Sequence, residues 1–379
     1  MGFYQSALEG LGMRPEFWRD KRVLLTGHTG FKGSWLSLWL AEAGAQVMGY
    51  ALEPPTTPSL FQLARIGERV ESLTGDVRDF ERVSRLIAER RPEIVIHMAA
   101  QSLVRRSYAD PVETYGTNVM GTVNLLEAVR RSGSDFVKAV LVVTSDKCYE
   151  NNEWVWGYRE TEAMGGHDPY SSSKGCAELV TSAMRSSFFQ SKTETKRSAA
   201  VASARAGNVL GGGDWAADRL VPDIIKSWLE GREVAIRSPH AVRPWQHVLD
   251  PLHGYLMLCE KLYDDGAPYA EGWNFGPRED DAQTVGHVVG RLSELWASRD
   301  GKAGWVIDKN EHPHEAHYLK LDCSKARSHL RWHPRWNLER TLAETVNWYR
   351  AYQSGEEMQA FSLEQIRAFQ SSVAEGEGL

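Results

Sequence analysis

The chain has 379 residues, of which 42% are hydrophobic and 25% charged, a composition typical of soluble globular proteins. Its net charge of −6 argues against a general attraction to nucleic acids or anionic membranes. Four widely spaced cysteines without metal-ligand spacing predict a reducing, cytoplasmic location, with neither disulfides nor a metal site. The sequence predicts neither a signal peptide nor a membrane-spanning segment.

Short apolar runs alternate with helical stretches along the first half of the chain. The predicted strands are Val23–Leu25, Ala45–Tyr50, Val70–Leu73, Glu93–His97, Ala139–Val143 and Ala199–Ala204. Stretches between them predict helices, including long ones over Val112–Val129 and Tyr170–Phe189. This alternation predicts an α/β fold, a doubly wound parallel sheet of the Rossmann type with helices on both faces. Ligands of such sheets bind beyond the carboxyl ends of the strands.

The first predicted strand runs into the segment TGHTGFKG, whose three glycines precede a helical stretch. Gly27 allows a tight turn, Gly30 lets the backbone approach a pyrophosphate, and Gly33 lets the helix pack closely. The helix N-terminus offers amide hydrogens and partial positive charge to phosphates. We therefore predict a dinucleotide site rather than an ordinary glycine-rich turn. The predicted contacts from this segment are Gly27, Thr29, Gly30, Phe31, Lys32 and Gly33. A solvated surface position would suit Lys32 equally well.

The residues after the second and third predicted strands favour NAD over NADP. No arginine or lysine occurs between Lys32 and Arg65 to hold a 2′-phosphate, and Glu53 is a candidate partner for a ribose hydroxyl. Asp76 ends the third strand, where it either meets the adenine end of the cofactor or caps the next helix. The other predicted cofactor contacts are Val77, Ala99, Ala100, Gln101, Asn118 and Thr144.

A hydroxyl, an acid and an amine directly follow the fifth predicted strand in the segment VVTSDKCYEN. They are Ser145, Asp146 and Lys147. Downstream, Tyr170 and Lys174 are spaced i and i+4, which brings them to one face of a helix. A nearby ammonium favours phenolate, so we expect the pKa of Tyr170 to fall from about 10 toward neutrality. Tyr170 would then act as a general base for a sugar hydroxyl.

The glycine loop, the serine after the fifth strand and the Y-x-x-x-K pattern together resemble the extended short-chain dehydrogenase/reductase superfamily, which acts mainly on nucleotide sugars. The resemblance extends in order from Lys21 to Tyr349. It implies that Ser145 orients a substrate hydroxyl, that Tyr170 takes its proton, and that Lys174 holds the nicotinamide ribose. Asn118, in YGTNVMGT, matches a helix asparagine that the superfamily uses structurally; the alternative is that it only distorts its helix.

The pair Asp146–Lys147 separates the chain from a plain epimerase, which only removes and returns a hydride at C4. With the segments TSDKCYEN, NVLGGGDWAADRLVPD and RPWQHVLDPLHGYL, this pair makes the sequence similar to the 4,6-dehydratases of the superfamily. The resemblance implies a lyase that converts CDP-D-glucose to CDP-4-dehydro-6-deoxy-D-glucose, with NAD recycled in each turnover. It also implies a role in deoxysugar biosynthesis for a surface polysaccharide.

In that chemistry one group removes the C5 proton and another protonates the departing C6 hydroxyl. Asp146 would be the acid and must be protonated, whereas Lys147 would be the base and must be neutral. An ion pair between them would oppose both states, so we predict that their side chains diverge. The alternative is that Lys147 stays charged and stabilises the developing enolate.

A substrate with two phosphates requires arginine in its pocket. Arg219 and Arg243 lie in segments that resemble the nucleotide-binding region of the superfamily. The predicted substrate contacts are Asn208, Arg219, Leu220 and Arg243. Trp215 and Trp245, in the same segments, either wall the base of the nucleotide or fill core.

Glycine, proline and tryptophan become frequent after Asn208, which predicts a smaller, mixed α/β substrate-binding domain. Domain boundaries follow from this change in composition. We assign 15–207, with 241–276 returning to it, to the NAD-binding domain, 208–240 and 277–350 to the nucleotide-sugar-binding domain, and 355–379 to a C-terminal tail or helix. In the superfamily the two long helices pair across a two-fold axis, so the resemblance implies a homodimer or a dimer of dimers.

Two other functions fit parts of the pattern. A 4-epimerase or a dehydratase of another nucleotide sugar would share the glycine loop and the Tyr170–Lys174 pair, but an epimerase has no use for Asp146–Lys147. A non-catalytic NAD-binding regulator would be expected to lose Tyr170 or Lys174, and this chain keeps both.

Overall fold

Seven parallel strands form the central sheet of the computed structural model, which describes residues 12–132, 136–190, 198–297, 303–308 and 318–372. The strands are β1 (Arg22–Thr26), β2 (Gln46–Ala51), β3 (Glu71–Thr74), β4 (Ile94–His97), β5 (Ala139–Val143), β6 (Ala200–Ala206) and β7 (Gly272–Phe275). Their order is β7-β6-β5-β4-β1-β2-β3, and all neighbours are parallel. The order reverses between β1 and β4, which confirms the predicted doubly wound fold.

Helices flank this sheet and continue into the second half of the chain. The α-helices are α1 (Pro15–Trp18), α2 (Phe31–Glu42), α3 (Leu60–Leu63), α4 (Phe80–Arg90), α5 (Val104–Ala109), α6 (Pro111–Tyr115), α7 (Gly121–Arg131), α8 (Pro169–Phe188), α9 (Leu220–Leu229), α10 (Leu249–Asp264), α11 (Val285–Ala297), α12 (Leu338–Gln353) and α13 (Met358–Ser371). The 3-10 turns are Ile66–Glu68, Asp146–Cys148, Ala267–Tyr269 and Glu279–Asp281, and the π turns are Gly116–Met120 and Ala326–Leu330.

Two apolar layers cover the sheet because successive strand residues point to opposite faces. Val23 and Leu25 of β1 pack in the layer that contains Trp35 and Trp39 of α2, whereas Leu24 packs in the layer formed by α4 and α7. A strand buried on both faces must be apolar throughout. This explains the run AVLVV in β5, which is buried at every position.

The predicted long helix Val112–Val129 is interrupted in the structure. It consists of α6, a π turn at Gly116–Met120, and α7. Asn118 lies in the π turn and is buried; its side chain bonds to both backbone polar atoms of Gln101 at 2.9 Å and donates to Ser173 Oγ at 2.8 Å. Because a π turn re-aims a side chain within a helix, this irregularity turns Asn118 inward to tie α8 to the loop after β4.

Shorter strand pairs form the region beyond β6. Val209–Leu210 pairs in parallel with Gln246–His247, Val242–Pro244 pairs antiparallel with Ala282–Thr284, and Val234–Ile236 pairs in parallel with Trp305–Ile307. Helix α10 is buried along most of its length, and β7 then adds to the sheet edge beside β6.

Helix α13 packs against the outer face of α2. The ring of Phe369 lies 5.6 Å from that of Trp39, and Arg367 forms a salt bridge with Glu42 at 2.5 Å. The segment expected to be a tail or a helix is therefore helical along α13, while 373–379 lie outside the described residues.

Candidate active site

The glycine loop between β1 and α2 has a backbone path in which side chains at Gly27 and Gly33 would clash with neighbouring backbone atoms. Gly27 has a φ of +78°, and a Cβ there would lie 2.7 Å from the backbone nitrogen of Ala99. A Cβ on Gly33 would lie 2.1 Å from the carbonyl oxygen of Gly27, so α2 packs closely against the loop. In contrast, a Cβ on Gly30 would meet, within the described chain, the Gly27 oxygen alone, at 3.4 Å. The open space beside Gly30, at the N-cap of α2, suits a pyrophosphate.

Two other residues of this segment contact the protein around the loop. Thr29 donates a hydrogen bond to the carbonyl of Leu52 at 2.9 Å, which joins the loop to the end of β2. The ring of Phe31 lies beside Gly211, where a Cβ would be 3.3 Å from it. These contacts hold the loop against its neighbours.

Polar side chains also follow β2 and β3. The carboxylate of Asp76 bonds to the guanidinium and the backbone N–H of Arg78 at 2.6–2.9 Å, and the side-chain hydrogen bond from Arg78 lowers its pKa. The predicted alternative role of Asp76 as a helix cap is wrong, because Asp79 caps α4. Glu53 accepts a hydrogen bond from Thr74 Oγ1 at 2.9 Å and lies at the surface.

The residues after β4 form the next part of the cleft edge. Ala99 lies against Gly27, and Ala100 is half-buried. Gln101 is buried, and its Nε2 donates to Thr114 Oγ1 at 2.9 Å. The side-chain amides of Gln101 and Asn118 are bonded to other protein groups. They therefore hold the backbone in place at this edge of the cleft. Val77, in the loop after β3, is also buried.

Ser145, Asp146 and Lys147 begin the 3-10 turn at the carboxyl end of β5, with Ser145 as its N-cap. Ser145 Oγ accepts a hydrogen bond from the backbone N–H of Lys147 at 3.2 Å and donates to Asp146 Oδ1 at 2.8 Å. Both Ser145 and Asp146 act on the Tyr170 phenol: Ser145 lowers its pKa and the charge of Asp146 raises it. Asp146 is buried, and its Oδ2 would lie 3.0 Å from a Cβ on Gly207. Ser145, Asp146 and Tyr170 therefore form one group.

Lys147 is half-buried, and its ammonium forms no salt bridge with any residue that the structure describes. Asp146 bonds to Ser145 instead of to Lys147. This arrangement agrees with the prediction that the side chains of the acid and the amine diverge.

Helix α8 carries Tyr170 and begins after Asp168. The Asp168 carboxylate accepts hydrogen bonds from the backbone N–H and the hydroxyl of Ser171 at 2.9 and 2.5 Å. Tyr170 is 8% exposed, and burial raises its pKa to about 12, against the opposing effect of the hydrogen bond to Ser145. The expected fall of the Tyr170 pKa toward neutrality is therefore wrong, since desolvation outweighs the favourable contacts.

Lys174, one turn further along α8, is buried as well. Its Nζ donates to the carbonyl of Val143 at 3.3 Å, at the end of β5. Burial lowers its pKa to about 8, although the carboxylate of Glu178 opposes this shift. Lys174 therefore lies one turn from Tyr170 on α8, as predicted, and the hydrogen bond of its ammonium in this structure is to the end of β5.

Lys32 also belongs to this charged group. Its Nζ lies 5.8 Å from the ring centroid of Tyr255, and burial lowers its pKa to about 8. The charges of Arg219 and Lys174 lower this pKa further, and Asp146 raises it. The alternative of a solvated surface lysine is therefore wrong. Sequence analysis missed Tyr255, because its apolar helical surroundings are typical of core.

A buried ion pair that the sequence analysis did not predict lies behind the 3-10 turn at Asp146–Cys148. Glu178 of α8 and Arg205 of β6 are 2.8 Å apart, and Thr144 donates a hydrogen bond to Glu178 at 2.5 Å. The signal available in the sequence was an arginine inside the otherwise small and apolar run of β6. Thr144, predicted as a cofactor contact, therefore has a protein partner on the side of α8.

The predicted substrate residues lie on segments beyond β6. Arg219 forms a salt bridge with Asp214 at 2.8 Å, donates to Ser102 Oγ at 3.1 Å, and interacts electrostatically with Tyr170. Arg243 lies on the strand Val242–Pro244, where its Nη1 donates to a backbone carbonyl. Arg219 is therefore on the same side of the cleft as Tyr170.

The remaining residues of these segments have distinct positions. Asn208 follows β6 directly, and Leu220 begins α9. Trp215 packs edge-on against Tyr349, and Trp245 donates its indole N–H to a backbone carbonyl at 3.0 Å; both are buried. The core-filling alternative is therefore correct for both tryptophans.

Neither a metal site nor a membrane-spanning helix occurs within the described ranges. No cluster of three or more histidine, cysteine, aspartate or glutamate side chains there has the geometry of a metal site. None of the helices described is both long and apolar enough to cross a membrane.

Comparison with known proteins places the chain among nucleotide-sugar enzymes. A curated relative, "CDP-glucose 4,6-dehydratase" of Salmonella typhimurium, is 58% identical over 357 residues, which cover 94% of this chain and 98% of the relative. A "dTDP-glucose 4,6-dehydratase" of Xanthomonas campestris is 27% identical and covers 86% of this chain and 92% of its own. Among solved structures, a UDP-glucose 4-epimerase of Thermotoga maritima with UDP-glucose has 26% identity and a TM-score of 0.74, covering 87% of this chain and 99% of that one.

The family model described as GDP-mannose 4,6 dehydratase matches residues 24–345, a span that includes the glycine loop and the Ser145, Asp146 and Tyr170 group. The chain therefore belongs to the GDP-mannose 4,6 dehydratase family.

Proposed function

We propose that this chain catalyses the NAD-dependent conversion of CDP-D-glucose to CDP-4-dehydro-6-deoxy-D-glucose, a hydro-lyase reaction of deoxysugar and polysaccharide biosynthesis. The observation that carries the proposal is the grouping of Tyr170, Ser145 and Asp146 at the end of β5, where Ser145 hydrogen-bonds to Asp146 and both side chains act on the Tyr170 phenol, with Lys147 next in the chain. A carboxyl group beside the phenol and serine provides the acid that water elimination requires. Identity of 58% to the Salmonella enzyme supports CDP-D-glucose as the substrate.

NAD fits the residues present, because the glycine loop leaves open space beside Gly30 at the start of α2. When bound, NAD supplies reversible hydride transfer, from C4 of the hexose and finally to C6. Direct contacts are proposed from Gly27, Gly30, Phe31, Gly33, Asp76, Val77, Ala99, Ala100, Tyr170 and Lys174. Thr29, Gln101, Asn118 and Thr144 hold the surrounding backbone, and Lys32 contributes positive charge toward Asp146.

Residues of this chain accept a proton at one reacting position of the hexose and donate a proton at another. Tyr170 takes the proton of the C4 hydroxyl, and Ser145 orients that hydroxyl. Asp146 gives a proton to the departing C6 hydroxyl. Ser145 hydrogen-bonds to Asp146 and also acts on the Tyr170 phenol, so it lies between the group that gains a proton and the group that loses one.

Lys147 acts at C5, between these two positions. As a base it removes the C5 proton, and as a charge it stabilises the enolate that forms across C4 and C5. Its lack of a salt bridge within the described part of the chain supports either role, because neither its lone pair nor its charge is committed to a carboxylate.

Arg219 is proposed to bind the diphosphate, since it lies on the catalytic side of the cleft beside Asp214. Asn208, Leu220 and Arg243 are proposed as the other substrate contacts. The boundaries given above for an NAD-binding domain and a nucleotide-sugar-binding domain are retained as proposals.

A homodimer or a dimer of dimers is proposed, formed through the helices from α5 to α8. This surface exposes large apolar side chains, as expected for an interface. They are Tyr108, Val112, Met120, Leu179 and Phe188. A cytoplasmic location is proposed because all four cysteines are free.

One assay tests the function against its alternatives. The protein is incubated with CDP-glucose and NAD in deuterated water, and the product is analysed by mass spectrometry and NMR. The proposal predicts a 4-keto-6-deoxy sugar with solvent deuterium at C5 and no net reduction of NAD. A product that keeps its 6-hydroxyl would indicate an epimerase, and unchanged CDP-glucose would contradict the proposed substrate. Parallel reactions with dTDP-, UDP- and GDP-linked hexoses identify a dehydratase or epimerase of another sugar, and inactivity with all of them favours a regulator.

A further inference from the structure

Glu178 is a buried carboxylate for which the proposed reaction gives no role. It lies one turn after Lys174 on α8 and is 4% exposed. Three side chains donate hydrogen bonds to it: Thr144 at 2.5 Å, Ser203 at 2.6 Å and Arg205 at 2.8 Å. These bonds and the charge of Arg205 outweigh burial and lower its pKa, so Glu178 is ionised.

Arg205, the ion-pair partner of Glu178, is also buried and hydrogen-bonded. Its side chain is 5% exposed, and it donates to the Tyr149 hydroxyl at 2.5 Å and to the carbonyl of Glu160 at 3.1 Å. Tyr149 in turn donates to Asn274 Oδ1 at 2.8 Å, on β7. A buried ion pair gives little net stability compared with well-packed apolar residues. Its presence directly behind the catalytic turn therefore points to a role in the site.

The ion pair is electrostatically coupled to Lys174. Burial lowers the pKa of Lys174 to about 8, and Glu178 is the largest influence that opposes this loss of charge. Cys148, on the 3-10 turn, acts in the same direction, but burial raises its own pKa, so it is a neutral thiol. Glu178 is therefore the ionised acid among the groups that act on Lys174.

Other titratable groups also face the pair. Lys174 interacts with Lys32 of α2 and with His97 at the end of β4, whose pKa burial lowers to about 3. Glu178 also interacts with Arg185, further along α8, and Arg205 interacts with the carboxyl of Glu160, whose pKa burial raises. Glu178 is the carboxylate that acts on both Arg205 and Lys174.

We propose that Glu178 is a positioning residue, which keeps Lys174 charged for its role at the cofactor and anchors Thr144 directly before the catalytic serine. The inference rests on the proposed function only for the role of Lys174. Arg205 fixes the Glu178 carboxylate between β6 and α8, so that its charge is held near Lys174 without binding it directly.

The test is the titration of Lys174 in the protein with and without the Glu178 charge. Lysine labelled with carbon-13 at Cε reports the pKa by NMR, and Lys174→Arg assigns the signal. Glu178→Gln is expected to lower the Lys174 pKa by about one unit or more. With CDP-glucose, the decline of kcat/KM above pH about 8 is expected to move to lower pH by the same amount, while a merely structural role would lower activity at every pH.

Three further variants make the test independent of whether Glu178→Gln folds. Ser203→Ala removes a hydrogen bond to Glu178 but no charge, so the Lys174 titration is expected to stay in place. Glu178→Asp keeps the charge and the pairing with Arg205, and is expected to shift the titration less than Glu178→Gln. Arg205→Gln removes the cation that keeps Glu178 ionised, so it is expected to lower the Lys174 pKa in the same direction as Glu178→Gln.

An unchanged Lys174 titration in the folded charge-removing variants would overturn the inference. The inference would also be overturned if the charge-removing variants shifted the Lys174 pKa no more than Ser203→Ala does. Failure of the proposed function is a separate result: the wild-type protein would then lack dehydratase activity, while the NMR titration would still report on the coupling between Glu178 and Lys174.

Discussion

Ser145 Oγ donates a hydrogen bond to Asp146 Oδ1 over 2.8 Å, from the residue that begins the 3-10 turn to its immediate successor in the chain. The same side chain lowers the pKa of Tyr170 on α8. The proposed acid and the proposed C4 base are therefore both influenced by Ser145, so both ends of the reaction are sensitive to the position of a single turn. The following substitutions separate their roles.

Replacing Asp146 by asparagine removes the acid and keeps a group that accepts the Ser145 hydrogen bond. We expect water elimination to slow by roughly 10²–10⁴-fold, because the C6 hydroxyl leaves without a proton. C4 oxidation should continue, so reduced nicotinamide should accumulate and be visible by its absorbance. The matched control is Asp79→Asn, which keeps a good N-cap on α4 far from the turn. Full elimination by Asp146→Asn would remove Asp146 from the mechanism.

Lys147→Arg and Lys147→Met distinguish the two roles of Lys147. Arginine keeps the charge but cannot lose its proton near neutral pH, whereas methionine keeps neither charge nor amine. If Lys147 is the base, both variants should lose deuterium exchange at C5. If it is a stabilising charge, Lys147→Arg should retain much of that exchange and Lys147→Met should lose it. Exchange is measured by NMR of the sugar after incubation in deuterated water.

Tyr170→Phe removes the phenol hydroxyl that is proposed as the C4 base. We expect C4 oxidation to fall by about 10²–10⁴-fold, because no other group takes the hydroxyl proton, while NAD binding measured by tryptophan fluorescence changes little. Tyr352→Phe in α12, packed against Trp348, is the control and should leave the reaction rate unaltered. Rapid oxidation by Tyr170→Phe would show that a different residue is the C4 base.

Gly33→Ala tests the close packing of the glycine loop. The new Cβ would lie 2.1 Å from a backbone oxygen that cannot move freely, so we expect a loss of about 1–3 kcal/mol in the free energy of unfolding. Urea denaturation followed by circular dichroism measures this change. Gly290→Ala is a matched control in α11, where a Cβ meets nothing within 4 Å among the described residues.

That control should instead gain about 0.5–1 kcal/mol, since alanine lowers the entropy cost of forming a helix. Equal effects of the two substitutions would show that the close contact between Gly33 and the Gly27 carbonyl does not constrain the loop.

Local sequence predicts the sheet well because each central strand is buried on both faces. β5 was bounded correctly at Ala139–Val143, as the apolar run and the polar TSDK segment that follows leave little freedom. The sequence does not predict β7 as a strand, because GWNF lacks the aliphatic run that marks β4 and β5. Only its pairing with β6 defines it.

The candidate site shows the same division between local and long-range information. The positions of Ser145, Asp146 and Tyr170 in the site can be predicted from the sequence, because each residue lies at the end of a strand or the start of a helix. The direction of the Tyr170 pKa shift is not, because it depends on how deeply the helix buries the phenol. Glu178 is equally hidden, since its partners come from β5 and β6, distant in the chain.

Helix α13 covers Trp39 on the outer side of α2, the helix that begins at the glycine loop. The apolar environment of α2 is therefore completed by an element that is distant in the chain. Trp39 also stacks on His253 of α10, so two helices from the second half of the chain shield its indole from water. We expect removal of α13 to lower the free energy of unfolding, because it exposes an apolar ring on the helix that begins at the glycine loop.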